Sequence, residues 1–499
     1  MDVDKIRFYP YDKQTILNYL YLTIFLGYTL YCYTYWKMKG VPSLNVKFPY
    51  LSPIFFLHGI PVVNHSDVRI YYREMKAKGY KYAGVCTSIR SVLIVRDLAM
   101  IKDVTAHNLV YFDDVGFHHT DLEGPRTGTI CHLNGQNRRE MREILHPKVL
   151  PRGLERLPQS VLDISAYLIE AMEDCALQKK DIDVKELMAC FTADVISYHS
   201  YEINCYSYKR SREKFCTCST DRVNLPRKRL HNVFLGQRNV ENSLSKKIYR
   251  NTRNKIKCVE AGDYKNLDPF NLTIFLQKWS KDPDSNQDEP LKLFEMVPRL
   301  HIFFQLSFDS SATTLRFAIY ELCRNPNIQE GVRDEINDVL RRRGGVITWD
   351  SLVNMRYLDQ VIDETLRLYP PAPNLINRCV HNGYTLKGTD LKISSVYDIL
   401  IPLFCLHRDP DYFPDPERFD PDRFDRNLKF KVPFFMPFGE GPREITSLQA
   451  TMIQTKVGLV QILRKFRLSI SAKTKLPLEL KPQTYMNSKD VLYINVENV

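Results

Sequence analysis

The sequence predicts one large, mostly α-helical domain with a small β element, entered through an N-terminal membrane-spanning helix. Three observations carry that reading. Apolar residues return every three or four positions through Leu157–Met172, Leu300–Leu322, Ile328–Leu340 and Leu352–Leu368, the period of amphipathic helices. β-like runs are few and short, at Tyr82–Val85, Ser91–Val95 and Val491–Val496. Residues 15–36 contain no charged side chain, and a stretch of about 20 residues suffices to cross a bilayer roughly 30 Å thick.

The N-terminal segment comes first in the chain. Its six tyrosines lower its hydrophobicity, and it lacks the short apolar run and small-residue cleavage site of a removable signal peptide. Before it, Asp2, Asp4 and Asp12 offset Lys5, Arg7 and Lys13; after it come Lys37, Lys39 and Lys47. The excess of positive charge therefore lies on the C-terminal side and places the body of the protein in the cytosol. Gly40-Val41-Pro42 reads as a hinge after the anchor. Residues 1–42 are thus expected to be anchor and hinge, and residues 43–499 one domain without repeats or low-complexity linkers. Lys209–Arg229 is basic and irregular, as in a surface loop.

Composition narrows the function classes. With 44% hydrophobic and 26% charged residues among 499, the chain is neither disordered nor fibrous. Its net charge is +12, but the 58 acidic residues are dispersed among the bases and no basic tract is interleaved with aromatics. Nucleic acid is therefore not the expected partner; an anionic membrane surface or an acidic protein suits the charge better. The twelve cysteines include no CxxC pair and do not form a disulfide framework. Reduced thiols in a cytosolic domain fit them, and the Cys216/Cys218 pair has no identifiable partners for a metal.

The motifs lie in the C-terminal half. In ETLRLYPP, residues 364–371, Glu364 and Arg367 are three apart and share a helical face. Taken alone, such a pair reads as a solvated surface contact. Pro370 and Pro371 must end the helix. PDPERFDPDRFD follows about fifty residues on, and then PFFMPFGEGPRE. In that order and spacing ExxR, FDPDRF and PFGEGPR resemble the haem-thiolate monooxygenases, the cytochromes P-450, and most of all their microsomal insect branch. HRDP at 407–410, RYLDQVIDETLR at 356–367 and TKVGLVQIL at 455–463 are similar to that branch too.

The resemblance spans the chain and implies the cytochrome P-450 fold, an endoplasmic reticulum location, haem, small lipophilic substrates, dioxygen and a flavoprotein reductase. It implies that Glu364 and Arg367 bind Arg423 in a buried network. It implies haem contacts from Arg139, Arg378, His407, Phe438 and Arg443, the arginines and the histidine meeting the propionates. On the long central helix Leu306-Ser307-Phe308-Asp309-Ser310 matches the family's (A/G)-G-x-(D/E)-T, and Asp309 and Ser310 would relay protons to dioxygen.

The same resemblance locates a break. Phe438-Gly439-Glu440-Gly441-Pro442-Arg443-Glu444-Ile445-Thr446-Ser447 stands where the family has F-G-x-G-x-R-x-C-x-G, so Ile445 falls on the axial cysteine and Ser447 on the last glycine. A thiolate ligand pushes electron density onto iron and favours O–O cleavage; an isoleucine side chain has no lone pair. No cysteine or histidine occurs after His407, so no metal ligand is assigned. Leu306 and Ser307 put bulk where small residues normally lie, and Arg138 replaces a tryptophan. Three readings remain open: a catalytically impaired member that keeps a hydrophobic ligand cavity, an active monooxygenase with haem held another way or with residue 445 misread, and a folded relic.

Overall fold

The computed structural model describes residues 13–44, 65–86, 91–108, 111–112, 157–201, 253–254, 257, 293–378, 383–393, 397–425, 434–439, 448–480 and 486–499. The expected mostly helical architecture with a small β element is what these residues form. Its N-terminal helix α1 is Lys13–Met38, followed by α2 (His65–Ala77), strands β1 (Tyr82–Cys86) and β2 (Ser91–Val95), and α3 (Leu98–Lys102), which continues into a π-helical turn, Asp103–His107. Next come α4 (Leu157–Leu177), β3 (Ile182–Asp183), α5 (Val184–Tyr201), the long α6 (Leu293–Arg324), α7 (Pro326–Arg342), α8 (Trp349–Asn354) and α9 (Arg356–Leu368). The last part holds β4 (Leu375–Arg378), β5 (Tyr384–Thr385), β6 (Lys392–Ile393), β7 (Tyr397–Ile401), α10 (Leu403–Leu406), α11 (Leu448–Lys465), β8 (Phe466–Ile470) and β9 (Tyr493–Asn498).

Strand β2 is SVLIV, buried at all five positions, the continuous apolar pattern of a strand covered on both faces. It pairs antiparallel with β1 and parallel with β7, and β7 pairs antiparallel with β4. The last strand, expected over Val491–Val496, runs instead over Tyr493–Asn498, where it pairs with β8 from Phe466 to Ile470. The helix expected over Leu352–Leu368 is two helices broken at Met355. A capping box between Thr348 and Ser351 starts α8, and the Glu335 carboxylate from α7 accepts the backbone N–H groups of Tyr357 (2.7 Å) and Leu358 (2.9 Å) at the start of α9.

The core of the helical part is α6 packed against α5 and α11, with α4 behind. Gln329 fixes the relative direction of two of them. Its Nε2 donates to Leu322 O at the end of α6 and to Leu468 O just past α11, both at 3.0 Å. The C-terminal ends of α6 and α11 therefore lie together and the two helices run parallel. The N-terminus of α5 joins the same end, since Val184 N donates to Leu492 O and β3 pairs with β9, so α5 runs the opposite way. At Gly458 of α11 an added Cβ would lie 2.9 Å from a Phe191 ring carbon and 3.3 Å from Leu315 Cδ2. Only glycine allows so close an approach.

The expected N-terminal helix is present and its 26 residues span about 39 Å at 1.5 Å per residue. No helix among the described residues, however, is long and apolar enough to cross a membrane; the tyrosines and threonines of α1 keep its hydropathy low. The expected hinge is bonded in place. Val41 N donates to Trp36 O (2.9 Å), Gly84 N to Pro42 O (2.8 Å) and Leu44 N to Gly84 O (3.2 Å). Trp36 is 1% exposed and packs where a Cβ on Gly84 would come within 2.2 Å of its ring. The Lys209–Arg229 stretch lies outside the described residues.

Candidate functional site

The site is assembled on α9, whose last turn brings Glu364 and Arg367 into the interior. Both side chains have 0% exposure, so the pair is not the solvated contact that its spacing alone suggests. Arg367 Nε donates to Glu364 Oε2 at 2.7 Å and Nη2 to Oε1 at 2.8 Å, a two-pronged grip. Its remaining donors reach the carbonyls of His407 and Pro416, both at 2.8 Å, and of Arg418 at 3.2 Å. Glu364 Oε1 also accepts Asp420 N at 2.9 Å and lies 3.6 Å from Arg423 Nε. Glu364 thus stands between Arg367 and Arg423, and these contacts tie α9 to the 407–423 segment. Buried charges are tolerated where each is paired and hydrogen-bonded in this way.

His407 belongs to the same cluster. Its ring lies against Phe413, Phe434 and Phe435, with centroids 6.2, 5.6 and 5.6 Å away. Nε2 accepts a long bond from Met436 N, 3.4 Å, while Nδ1 has no partner among the described residues. Burial, reinforced by the positive charges of Arg367 and Arg408, pulls its pKa down to about 3. The imidazole is therefore neutral at physiological pH.

Next to it Asp409 carries the charge. Tyr72 donates to its carboxylate at 2.5 Å, Lys76 Nζ binds the other oxygen, and Arg96 stands 3.8 Å away. Burial alone raises the Asp409 carboxyl, but the bonds from Lys76 and Tyr72 outweigh it and hold the group below the usual carboxylate range. This cluster fastens α2 and the end of β2 to the segment that follows α10. The HRDP motif contained its aspartate, but the partners lie more than 300 residues away in sequence and carry no local signal.

Asp309 and Ser310 sit in mid-α6. Ser310 is buried and its carbonyl accepts Thr314 Oγ1 at 2.8 Å; Asp309 is partly exposed. Leu306 and Ser307 lie one turn earlier on the same helix. Phe438 is buried, and Gly439 after it adopts φ +91° with its N–H bonded to Met436 O at 3.1 Å. That left-handed turn favours glycine and starts the loop toward residue 445. Arg378 ends β4. Arg138, Arg139, Arg443, Ile445 and Ser447 lie outside the described residues.

Sequence reasoning missed a second buried acid. Glu321, near the end of α6, accepts Tyr369 Oη at 2.5 Å, and Tyr369 stacks on Phe317 with centroids 4.2 Å apart. Burial raises the Glu321 carboxyl above the ordinary range, against the bond from Tyr369 and the charges of Arg324 and Arg408.

A large helical domain, a mixed parallel–antiparallel sheet and the Glu364–Arg367 pair with Arg423 at its flank agree with one class of protein, the cytochrome P450 scaffold. The chain belongs to the cytochrome P450 family, whose profile matches residues 48–494. It is similar to Probable cytochrome P450 6a13 of Drosophila melanogaster, 29% identical over 97% of this chain and 99% of that protein. Cytochrome P450 6A1 of Musca domestica is 26% identical over 93% and 94%, and cytochrome P450 9e2 of Blattella germanica 28% over 91% and 92%. By homology the activity class is monooxygenation, and the family implies haem.

The position matched to the family's axial ligand, Ile445, lies outside the described residues. Among them no cluster of histidine, cysteine, aspartate and glutamate is placed to hold a metal ion. The cysteines whose side chains are described are Cys175, Cys190, Cys323 and Cys405, all free thiols. Burial pushes the Cys323 and Cys405 thiols up to about 12, so neither is a thiolate at neutral pH.

Proposed function

We propose that this protein is a catalytically impaired cytochrome P450 that keeps the fold, a hydrophobic ligand cavity and an association with the endoplasmic reticulum membrane. The observation that carries the reading is Ile445 at the family's axial-cysteine position, in a chain that keeps the ion pairs of Glu364 with Arg367 and Arg423. Selection on stability alone maintains the triad, whereas only iron chemistry requires the thiolate. Leu306, Ser307 and Arg138 lie far from residue 445 in sequence and depart from the family at positions that converge on the same pocket.

Within this reading Asp309 and Ser310 are the remnant of the oxygen-activation pair, and Arg139, Arg378, Arg443 and Phe438 the remnant of the haem seat. His407 is better taken as scaffold, since its ring has 0% exposure and its carbonyl serves Arg367. The ligand class is small and lipophilic, as for the family. A flavoprotein reductase is the inherited partner through the basic surface. Helix α1 is the membrane-associated element, with Leu20, Leu22, Leu26 and Leu30 exposed and the domain on the cytosolic side.

The ferrous–CO difference spectrum of the purified protein tests this directly. The expected result is no thiolate-type band and substoichiometric haem; a normal band means that a thiolate holds the iron and overturns this reading in favour of the alternative, an active monooxygenase with residue 445 misread or haem held another way. Ile445→Cys combined with Ser447→Gly should raise haem content. If it does not, Leu306 and Ser307 account for the loss rather than residue 445.

A further inference from the structure

We propose that one edge of the Arg316 guanidinium is a receptor for a small carboxylate, held inside the helical domain between α6 and the turn at Asn487. Arg316 lies on α6 six residues past Ser310 and is 4% exposed. Its Nη1 donates to Asn487 Oδ1 at 2.8 Å, and its guanidinium carbon stands 4.5 Å from the Phe317 ring centroid. Nε and Nη2 are buried and have no hydrogen-bond partner among the described residues.

The identity of those two atoms defines the ligand. Nε–H and one N–H of Nη2 point in parallel along the same edge of the plane, spaced for the two oxygens of a carboxylate. The protein uses this edge elsewhere: Arg367 grips Glu364 with the same two nitrogens, at 2.7 and 2.8 Å. At Arg316 the same edge is buried, and among the described residues no carboxylate occupies it. The nearest acid acting on it through space is Asp183. That carboxylate is already committed to the start of α5, where Oδ1 accepts Lys185 N at 2.9 Å and Glu186 N at 3.2 Å.

Charge points the same way. Burial pulls the Arg316 pKa down to about 10, which leaves the group cationic at neutral pH. A buried cation with one neutral acceptor is poorly compensated. Water satisfies its N–H groups but not its charge, and a monatomic anion satisfies the charge but not two parallel donors. A carboxylate small enough for an interior site does both.

Formate is the probe. Thermal unfolding of the purified full-length protein is followed at constant ionic strength while sodium chloride is replaced by sodium formate. The expected result is a Tm that climbs with the logarithm of formate concentration, about 1–3 °C per tenfold increase above Kd, together with saturable broadening of the ¹³C-formate signal. Arg316→Met should abolish both effects. Arg316→Lys keeps the charge without the fork and should also abolish them, so the proposal stays testable if the Met variant fails to fold. No rise over chloride, or a rise retained in either variant, overturns it.

Discussion

His407 shows how a residue changes meaning between one dimension and three. In the sequence it is a histidine in a motif; in the fold it is a neutral ring walled in by Phe413, Phe434 and Phe435. Its pKa is depressed to about 3 in the folded state against about 6.5 in an unfolded chain. The unfolded state therefore binds the extra proton between these values. Stability from this group is complete above pH 6.5 and is lost as pH falls toward 3. Urea unfolding should show a loss of about 2 kcal/mol between pH 7 and pH 5 from this residue alone, and His407→Phe should flatten that slope; an unchanged slope in the variant removes His407 as its source. Glu364 and Arg367 make the same point. Their spacing was legible, but their burial was not, because nothing local distinguishes a pair that meets solvent from one that meets three backbone carbonyls. Truncating Arg367 to Ala leaves the Glu364 carboxylate buried with Arg423 3.6 Å away as its one ionic partner. It should cost about 3–5 kcal/mol, read as a fall in the unfolding midpoint or as failure to express folded protein.

At the scale of elements, period and punctuation succeed where each element's stability is its own. Ser91–Val95 was legible as a strand because a short β-branched run has no helical alternative of adequate length, and it proved buried throughout. The helix before Pro370 ends at Leu368, as the prolines require. The break at Met355 was not legible, since periodicity runs through it. What divides the two helices is a cap supplied by Glu335 from a different helix, a tertiary contact with no trace in the local pattern. The direction of α5 against α6 and α11 was likewise fixed at a distance, by the small sheet at their shared end. The three helices are closest at Gly458, where Phe191 lies 2.9 Å from the site of an added methyl. Gly458→Ala forces those helices apart and should destabilise the protein by about 1–3 kcal/mol, measured by thermal or urea unfolding; a neutral substitution would mean that the bundle relaxes there.

For the whole molecule, scaffold and chemistry separate. The pairing of Glu364, Arg367 and Arg423 and the fastening of Asp409 are made without residue 445. On the proposed reading, in which residue 445 bears on iron chemistry and not on the scaffold, Ile445→Cys should change the unfolding free energy of the haem-free protein by no more than about 0.5 kcal/mol. A larger shift in either direction would show that the proximal loop contributes to the fold itself. The architecture was legible because its motifs are scaffold motifs; the departure from the family at residue 445 was legible because it is written in a single letter of the sequence.

The seating of Trp36 on Gly84 has a mechanical consequence. An anchored domain usually hangs from a slack tether and samples many orientations above its surface. Here the end of α1 is bolted to the edge of a sheet by a buried indole and two backbone bonds. Under the membrane association proposed for α1, any angle the helix takes against a lipid surface is passed on to the sheet, and its tilt would set the attitude of the body toward the bilayer. Any entrance that a lipophilic molecule uses would be aimed by that joint.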